Sequence, residues 1–203
     1  MTRRFLNLSG FVLAGGKSHR MGRAKAELVL GGETMLERQI QVLRAVCRSV
    51  AVIGNPQSPS NLDIPGWPDE LPGRGPAGGI YTALVHARTE FSLILGCDLP
   101  FIGAHFLRFL MRRALDARAD VTVPEGCDGR IQPVCAVYRR RALAVVRSSL
   151  NADLNKTQDL VHRLRAHIIA WQEISRGGFS PGILANMNTL EDYETAKRIV
   201  NGE

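Results

Sequence analysis

The sequence predicts a single α/β domain built on a doubly wound, mostly parallel sheet. Short apolar runs alternate with amphipathic stretches along the chain, and glycine-rich turns follow two of these runs directly. The length of 203 residues suits one such domain. In open parallel sheets, ligands bind beyond the carboxyl ends of the strands. The polar residues that follow each predicted strand are therefore the first candidates for a site.

Composition limits the partners that the chain could bind. There are 26 Lys and Arg residues against 19 Asp and Glu, giving a net charge of +7, which favours an acidic partner such as a nucleotide, a nucleic acid or a membrane surface. The cations are scattered and no aromatic-rich RNA motif accompanies them, so a non-enzymatic RNA-binding module is the minor alternative. No apolar run approaches the roughly 20 residues of a membrane span.

The four cysteines show no C-x-x-C spacing, which favours neither a zinc site nor a disulfide framework. This usage indicates a reducing compartment, and we expect the protein to be cytoplasmic.

The first predicted strand, residues 11–13, leads into a loop suited to phosphate. Gly15 and Gly16 let the backbone turn and direct N–H groups toward an anion. Four cations follow closely: Lys17, Arg20, Arg23 and Lys25. Neither the Gly-x-x-x-x-Gly-Lys-Ser/Thr spacing of a P-loop nor a Gly-x-Gly-x-x-Gly fingerprint occurs here. The loop is thus expected to bind a triphosphate in another way.

A helix and a second strand should follow. Thr34 and Glu37 have the spacing of a capping box, and apolar residues recur at helical intervals at positions 36, 40, 43 and 47. Residues 50–53 are predicted as a buried strand. Asn55 follows this strand, where it could bond a nucleotide or simply form the turn before Pro56.

The long loop over residues 54–79 is a further candidate site because loops of this length in a compact domain are often functional. Its glycines precede a helical apolar stripe that begins at Ile80, so they lie where unpaired helix N–H groups could meet an anion or a base edge.

The next predicted strand, residues 91–95, leads to Asp98. A carboxylate directly after a buried strand is costly unless it is hydrogen-bonded, exposed to a site or holding a cation. Magnesium bound through one or two carboxylates and substrate phosphates would fit, and a simple strand-end turn is the alternative.

The rest of the chain alternates in the same way. We predict a helix over 106–115, a strand over 121–124, a strand over 132–138, a helix starting at Arg139, polar loop and helix over 151–165, and a last strand over 166–171. Arg130 and Gln132 could face a second substrate. Thr189 and Asp192 form a capping box for the final helix.

Three ordered segments, residues 13–25, 97–101 and 186–192, resemble motifs of the molybdenum cofactor guanylyltransferases. They read LAGGKSHRMGRAK, CDLPF and NMNTLED, with Leu190 in place of a proline and Ala24 in place of a frequent aspartate. The resemblance spans nearly the whole chain. It implies one nucleotidyltransferase domain over residues 1–203, with a Rossmann-like, glycosyltransferase-A-like fold.

The resemblance also implies roles for individual residues. Arg20, Lys25 and Asp98 would be catalytic, and Asp98 would hold Mg²⁺. Asn186 and Asn188 would contact the pterin substrate, although organising a helix start explains Asn188 equally well. The implied GTP-binding residues are Leu13, Ala14, Gly15, Gly16, Lys25, Asn55, Asp69, Gly75, Pro76, Gly79 and Asp98.

The implied reaction transfers GMP from GTP to the terminal phosphate of molybdenum-molybdopterin and releases pyrophosphate. Gly15 favours GTP because relatives that use CTP usually carry alanine there. Asp69 suits guanine because a carboxylate accepts hydrogen bonds from N1–H and the exocyclic amine. CTP-dependent transfer, or another phosphorylated acceptor, is the alternative. Molybdoenzymes or their chaperones are expected partners, and a membrane partner is not.

Overall fold

A computed structural model describes residues 4–15, 24–54 and 63–202. The strands are β1 Phe5–Leu13, β2 Val29–Leu30, β3 Glu33–Thr34, β4 Cys47–Ile53, β5 Gly66–Trp67, β6 Phe91–Gly96, β7 Val121–Pro124, β8 Cys135–Arg139 and β9 Ala166–Ile169. The helices are α1 Met35–Arg44, α2 Gly75–His86, α3 Ala104–Asp116, α4 Ala142–Asn151, α5 Thr157–Arg163, α6 Trp171–Arg176 and α7 Leu190–Asn201. Two 3₁₀ turns span Lys25–Glu27 and Pro181–Leu184.

Seven strands form one sheet in the order β5-β4-β1-β6-β8-β7-β9. Strand β8 is antiparallel to its neighbours β6 and β7, and every other pairing is parallel. The predicted mostly parallel sheet is confirmed. Strand β1 pairs in parallel with β4 on one side and β6 on the other, so their carboxyl ends meet at one place.

Apolar clusters cover both faces of the sheet, which makes the fold doubly wound. Successive β1 residues point to opposite faces: Phe11 packs with α2, and Val12 packs with α1 and α3. Both side chains are almost fully buried. This two-sided burial explains why the strands read as continuous apolar runs.

Several predicted boundaries were wrong, and tertiary contacts explain why. Cys47 begins β4, where it pairs with Phe5, rather than ending the helix before it. Arg139 ends β8 rather than starting a helix: its N–H donates to the Asp120 carbonyl at 2.8 Å and its guanidinium lies over the Phe91 ring. Strand β8 begins at Cys135, and the last strand ends at Ile169.

A short hairpin, β2–β3, was not predicted. Its turn is Gly31 and Gly32, both at positive φ (+60° and +87°), the geometry that favours glycine in tight hairpins. The hairpin leads directly into α1, whose predicted capping box between Thr34 and Glu37 is present. None of the described helices is long and apolar enough to cross a membrane.

Candidate active site

A cavity of about 680 Å³ opens at the carboxyl ends of β1, β4 and β6. Leu13 pairs with Ile53 on one side and with Gly96 on the other, so the segments leaving these three strands surround one space. Every described residue predicted to bind the nucleotide lines it: Leu13, Ala14, Gly15, Lys25, Asp69, Gly75, Pro76, Gly79 and Asp98. Gly16, Arg20 and Asn55 lie outside the described residues.

Two glycines, Gly15 at the cavity and Gly54 beside it, form a close backbone contact. Gly54 has φ +86°, and a Cβ added to it would lie 2.7 Å from the Gly15 Cα. A Cβ on Gly15 would lie 3.2 Å from the Gly54 Cα and 3.6 Å from Oδ2 of Asp69. Sequence reasoning missed Gly54 as the close neighbour of Gly15, although its position directly after a buried strand was the available signal.

Asp69 presents a carboxylate beside this glycine pair. It is partly buried, and loss of solvent raises the pKa of its carboxyl above the ordinary value of 3.8. An incompletely solvated acceptor gains more from a matching pair of donors than one surrounded by water. The position therefore suits recognition of an amide-like base edge.

The start of α2 forms another wall. Gly75 has φ +56°, and no side chain caps the helix at Arg74. A Cβ on Gly79 would lie 3.2 Å from Cδ2 of Leu13, so the missing side chain lets the helix pack closely against β1. The first turn of a 12-residue helix thus lies at the cavity.

Asp98 is held by its backbone and faces the cavity with its side chain. Its carbonyl accepts a hydrogen bond from the N–H of Met187 at 2.7 Å. A Cβ on Gly96 would lie 2.8 Å from Oδ1 of Asp98, so only glycine leaves this space for the carboxylate. Burial, and secondarily the Asp98 charge, raises the pKa of the Cys97 and Cys135 thiols, which favours their neutral form.

The donor set fits magnesium supplied with a nucleotide. Among the described residues, no group of three or more His, Cys, Asp or Glu side chains could hold a metal by itself. A single carboxylate completed by phosphate oxygens and water is an arrangement that Mg²⁺ adopts readily. Asp98, in a cavity large enough for a nucleotide, meets that requirement.

Lys25 joins Asp98 to the C-terminal segment. Its Nζ lies 2.6 Å from Oδ1 of Asn188 and 3.4 Å from Oδ2 of Asp98. The side chains of Lys25 and Asp98 are each 24% exposed. The predicted pterin residue Asn188 therefore contacts the lysine that was predicted to be catalytic.

The remaining second-substrate candidates do not line this cavity. Asn186 is half-buried, and Arg130 is exposed with its Nε 3.8 Å from Oδ2 of Asp128. The backbone N–H of Gln132 donates to the Pro124 carbonyl at 2.9 Å. None of the three is among the residues around the 680 Å³ space.

Comparison with known proteins agrees with this geometry. A family model described as the MobA-like NTP transferase domain matches residues 10–170. The chain belongs to this family. A probable molybdenum cofactor guanylyltransferase of Carboxydothermus hydrogenoformans is 36% identical over 193 residues, covering 95% of this chain and 96% of the relative. A molybdenum cofactor guanylyltransferase of Desulfosudis oleivorans is 30% identical, with 95% and 96% covered.

Solved structures confirm the fold of this MobA-like domain. Molybdopterin-guanine dinucleotide biosynthesis protein A of Archaeoglobus fulgidus superposes with a TM-score of 0.83 at 20% identity, covering 96% of this chain and all of the other. The 2-C-methyl-D-erythritol 4-phosphate cytidylyltransferase of Thermus thermophilus superposes with 0.73 at 16% identity, covering 97% and 100%. A cytidylyltransferase thus has the same architecture, so the fold alone is compatible with either guanine or cytosine.

Proposed function

We propose that the protein transfers GMP from GTP to the terminal phosphate of molybdenum-molybdopterin, forming the guanine dinucleotide cofactor and pyrophosphate. Relatives named as molybdenum cofactor guanylyltransferases align over nearly the full length of the chain. The observation that carries the proposal is the convergence of Asp69, Lys25 and Asp98 on one cavity at the strand ends. This convergence supports roles for Asp69 as base acceptor, Lys25 as cation and Asp98 as metal ligand toward a single nucleotide.

The chemistry is a displacement at phosphorus that needs little proton transfer. An oxygen of the acceptor phosphate bonds to the α-phosphorus, and the bond from that phosphorus to the bridging oxygen breaks as pyrophosphate leaves. Lys25 would balance charge on the phosphates, and Asp98 would hold Mg²⁺. Bound there, the metal would supply a Lewis acid for the developing negative charge. Arg20 would add a second cation.

Base selection would rest on Asp69 and the glycine pair beside it. Asp69 would accept hydrogen bonds from N1–H and the exocyclic amine of guanine, donors that cytosine does not present in the same pair. Gly15 and Gly54 leave the backbone bare beside this carboxylate, so a purine can approach closely. Leu13, Ala14, Gly75, Pro76 and Gly79 would complete the nucleotide site, as would Gly16 and Asn55.

The acceptor and the wider partners extend this proposal. Asn186 would contact the pterin substrate. The product would pass to molybdoenzymes or their chaperones, and the reaction would take place in the cytoplasm, with Mg²⁺ as the cofactor.

The test is mass spectrometry of the product formed from molybdopterin, Mg²⁺ and each of four nucleoside triphosphates. We expect a mass increase by GMP with GTP, equimolar pyrophosphate, and little product with CTP, ATP or UTP. A dominant CMP adduct would replace the assignment with a cytidylyltransferase. Absence of pyrophosphate with every nucleotide, together with RNA affinity that falls steeply with salt, would replace it with a binding module.

A further inference from the structure

Three side chains meet at one ammonium group. The Lys25 Nζ donates to Oδ1 of Asn188 at 2.6 Å and lies 3.4 Å from Oδ2 of Asp98. The shorter contact is with the neutral amide, and the longer contact is with the carboxylate. The Lys25 ammonium is thus shared between two acceptors and does not form a close ion pair with the Asp98 carboxylate.

The segment that carries Asn188 is fixed independently of Lys25. Oδ2 of Asp192 accepts from the N–H groups of Asn188 at 2.9 Å and Thr189 at 2.8 Å, and the Asp192 N–H donates to Oγ1 of Thr189 at 3.1 Å. These backbone hydrogen bonds lower the pKa of Asp192. Met187 is buried, and its N–H bonds the Asp98 carbonyl. The backbone that carries the Asn188 amide is therefore held in place by hydrogen bonds and packing that do not involve Lys25.

A fixed neutral acceptor matters because lysine and a metal ion compete for the same carboxylate. Lysine carries a mobile four-carbon stem, and near Asp98 it would otherwise settle on the nearest negative oxygen. An amide oxygen holds the ammonium without cancelling its charge. Because the ammonium bonds the amide instead, the Asp98 carboxylate keeps the negative charge that attracts a divalent cation.

We propose that Asn188 is a positioning residue that acts through Lys25: it draws the ammonium away from Asp98 and so keeps the carboxylate available for the divalent cation. This inference rests on the proposed roles of Lys25 and Asp98. It gives Asn188 a role different from the pterin contact expected from the sequence. It also makes the C-terminal segment, which lies beyond the matched residues 10–170, part of the nucleotide site.

The experiment measures Mn²⁺ binding by electron paramagnetic resonance. The full chain is saturated with the α,β-methylene analogue of GTP, which cannot release pyrophosphate, and no molybdopterin is added. The variants are Asn188→Ala, Lys25→Ala, the double variant and Asp98→Asn. Asn201→Ala is the matched control, because it makes the same change at an exposed position near the end of α7.

The proposal predicts opposite effects for the two single variants. Asn188→Ala should weaken Mn²⁺ binding about 5-fold, which corresponds to one ordinary hydrogen bond, because Lys25 then closes on Asp98. Lys25→Ala should leave Mn²⁺ binding equal or tighter, since the competing cation is gone. The double variant should match Lys25→Ala, because Asn188 has nothing left to hold.

Each other outcome overturns a distinct statement. Equal Mn²⁺ binding by Asn188→Ala and wild type would overturn the positioning role, above all if the Michaelis constant for molybdopterin rises instead. Weakening by Asn188→Ala that persists without Lys25 would show direct action on the metal. Equal binding by Asp98→Asn and wild type would overturn the metal role of Asp98 itself. Should Asn188→Ala not fold, Asn188→Ser gives the same comparison.

Discussion

Asp98 is anchored through its backbone, while its side chain faces the cavity. Its carbonyl is bonded to Met187, and its carboxylate occupies the space that Gly96 leaves beside Lys25. The backbone anchor does not depend on the charge of the side chain. Removal of that charge should therefore change the reaction far more than the fold.

We expect Asp98→Asn to lower pyrophosphate release by roughly 100- to 1,000-fold at limiting Mg²⁺, which is typical of losing one electrostatic contact in the transition state. The ion pair with Lys25 is partly exposed, so its loss should cost only about 0–1 kcal/mol of unfolding free energy. Raising Mg²⁺ should restore part of the rate. Asp116→Asn, an exposed site at the end of α3, is the control. Near-normal turnover of a folded Asp98→Asn protein would contradict the metal role.

We expect Asp69→Asn to stabilise the protein at neutral pH while weakening its preference for GTP over CTP. Desolvation raises the pKa of Asp69, so the folded state disfavours the charged carboxylate and holds its proton to higher pH than the unfolded chain. The loss of unfolding free energy that this causes is complete at pH values above the folded-state pKa. It disappears as the pH falls below 3.8, the ordinary pKa of the carboxyl.

The advantage of Asp69→Asn should accordingly shrink in acid. Urea unfolding at neutral and acidic pH measures it, together with relative kcat/KM for the two nucleotides. A variant with lower stability at neutral pH and unchanged base preference would show that Asp69 supports the loop instead of reading the base.

We expect Gly54→Ala to destabilise the protein and raise the KM for GTP. The new Cβ would lie 2.7 Å from the Gly15 Cα and would also require positive φ, a strain of about 1–3 kcal/mol before any clash. Gly178→Ala separates the two effects, because Gly178 has φ +83° and nothing within 4 Å of its added Cβ. Both variants should lose stability, but only Gly54→Ala should lose GTP affinity. Similar KM values for the two variants would contradict the role of the glycine pair.

The polar residues of the candidate site could be predicted from the sequence, but the contacts between them could not. Asp98 was predictable because it directly follows a buried strand. The Lys25–Asn188 contact joins residues 163 positions apart, and no local pattern encodes it. Gly54 was similarly hidden, since its importance comes from the approach of Gly15, which follows the neighbouring strand β1.

At the start of α7, a helix cap lies directly beside the residue that contacts Lys25. The predicted capping box of Thr189 and Asp192 is confirmed, and it also fixes the N–H of Asn188. A helix cap and a site contact therefore depend on the same few hydrogen bonds. A substitution that removes these hydrogen bonds should therefore lower both the unfolding free energy and the turnover.

We expect Thr189→Ala to lower the unfolding free energy by about 1 kcal/mol, as for other lost N-caps, and to lower turnover as well. Thr34→Ala removes an equivalent capping box, that of α1, whose residues are not among those that line the cavity. It should cost similar stability and leave turnover unchanged. Melting curves and pyrophosphate release measure the two effects. Equal turnover in Thr189→Ala and Thr34→Ala would show that the α7 cap does not affect the reaction.

Element boundaries were predictable where local signals agreed with packing. Both capping boxes were correct because a cap is made within four residues. Arg139 was misassigned because its strand pairing and its contact with Phe91 come from distant parts of the chain. The Gly31-Gly32 hairpin did carry a local signal, a glycine pair directly after Val29 and Leu30, and could have been found.

At the scale of the molecule, the cavity joins segments that are far apart in the chain, from Leu13 to Val134. Lys25, Asp69 and Asp98 lie on connections after different strands, all held by one sheet. A ligand that contacts them together should stabilise the whole fold, because unfolding must release it.

We expect GTP with Mg²⁺ at 100 times its dissociation constant to stabilise the protein by about 2.7 kcal/mol. For a chain of this size that corresponds to roughly 5–10 °C in Tm. CTP at the same concentration should give a smaller shift, and Asp98→Asn should lose the part that depends on Mg²⁺. Differential scanning fluorimetry measures all three. A shift with CTP equal to that with GTP would contradict the guanine preference.

The anchoring of Asp98 and Lys25 to the segment around Asn188 also has a consequence in time. Synthesis on the ribosome proceeds from the amino terminus at about 5–20 residues per second, so the strands that form the cavity exist seconds before Asn188 is made. A nascent chain can assemble β1, β4 and β6 while Lys25 still lacks its amide partner. We therefore expect metal and nucleotide binding to reach full strength only once the segment around Asn188 has docked, seconds after the strands have formed.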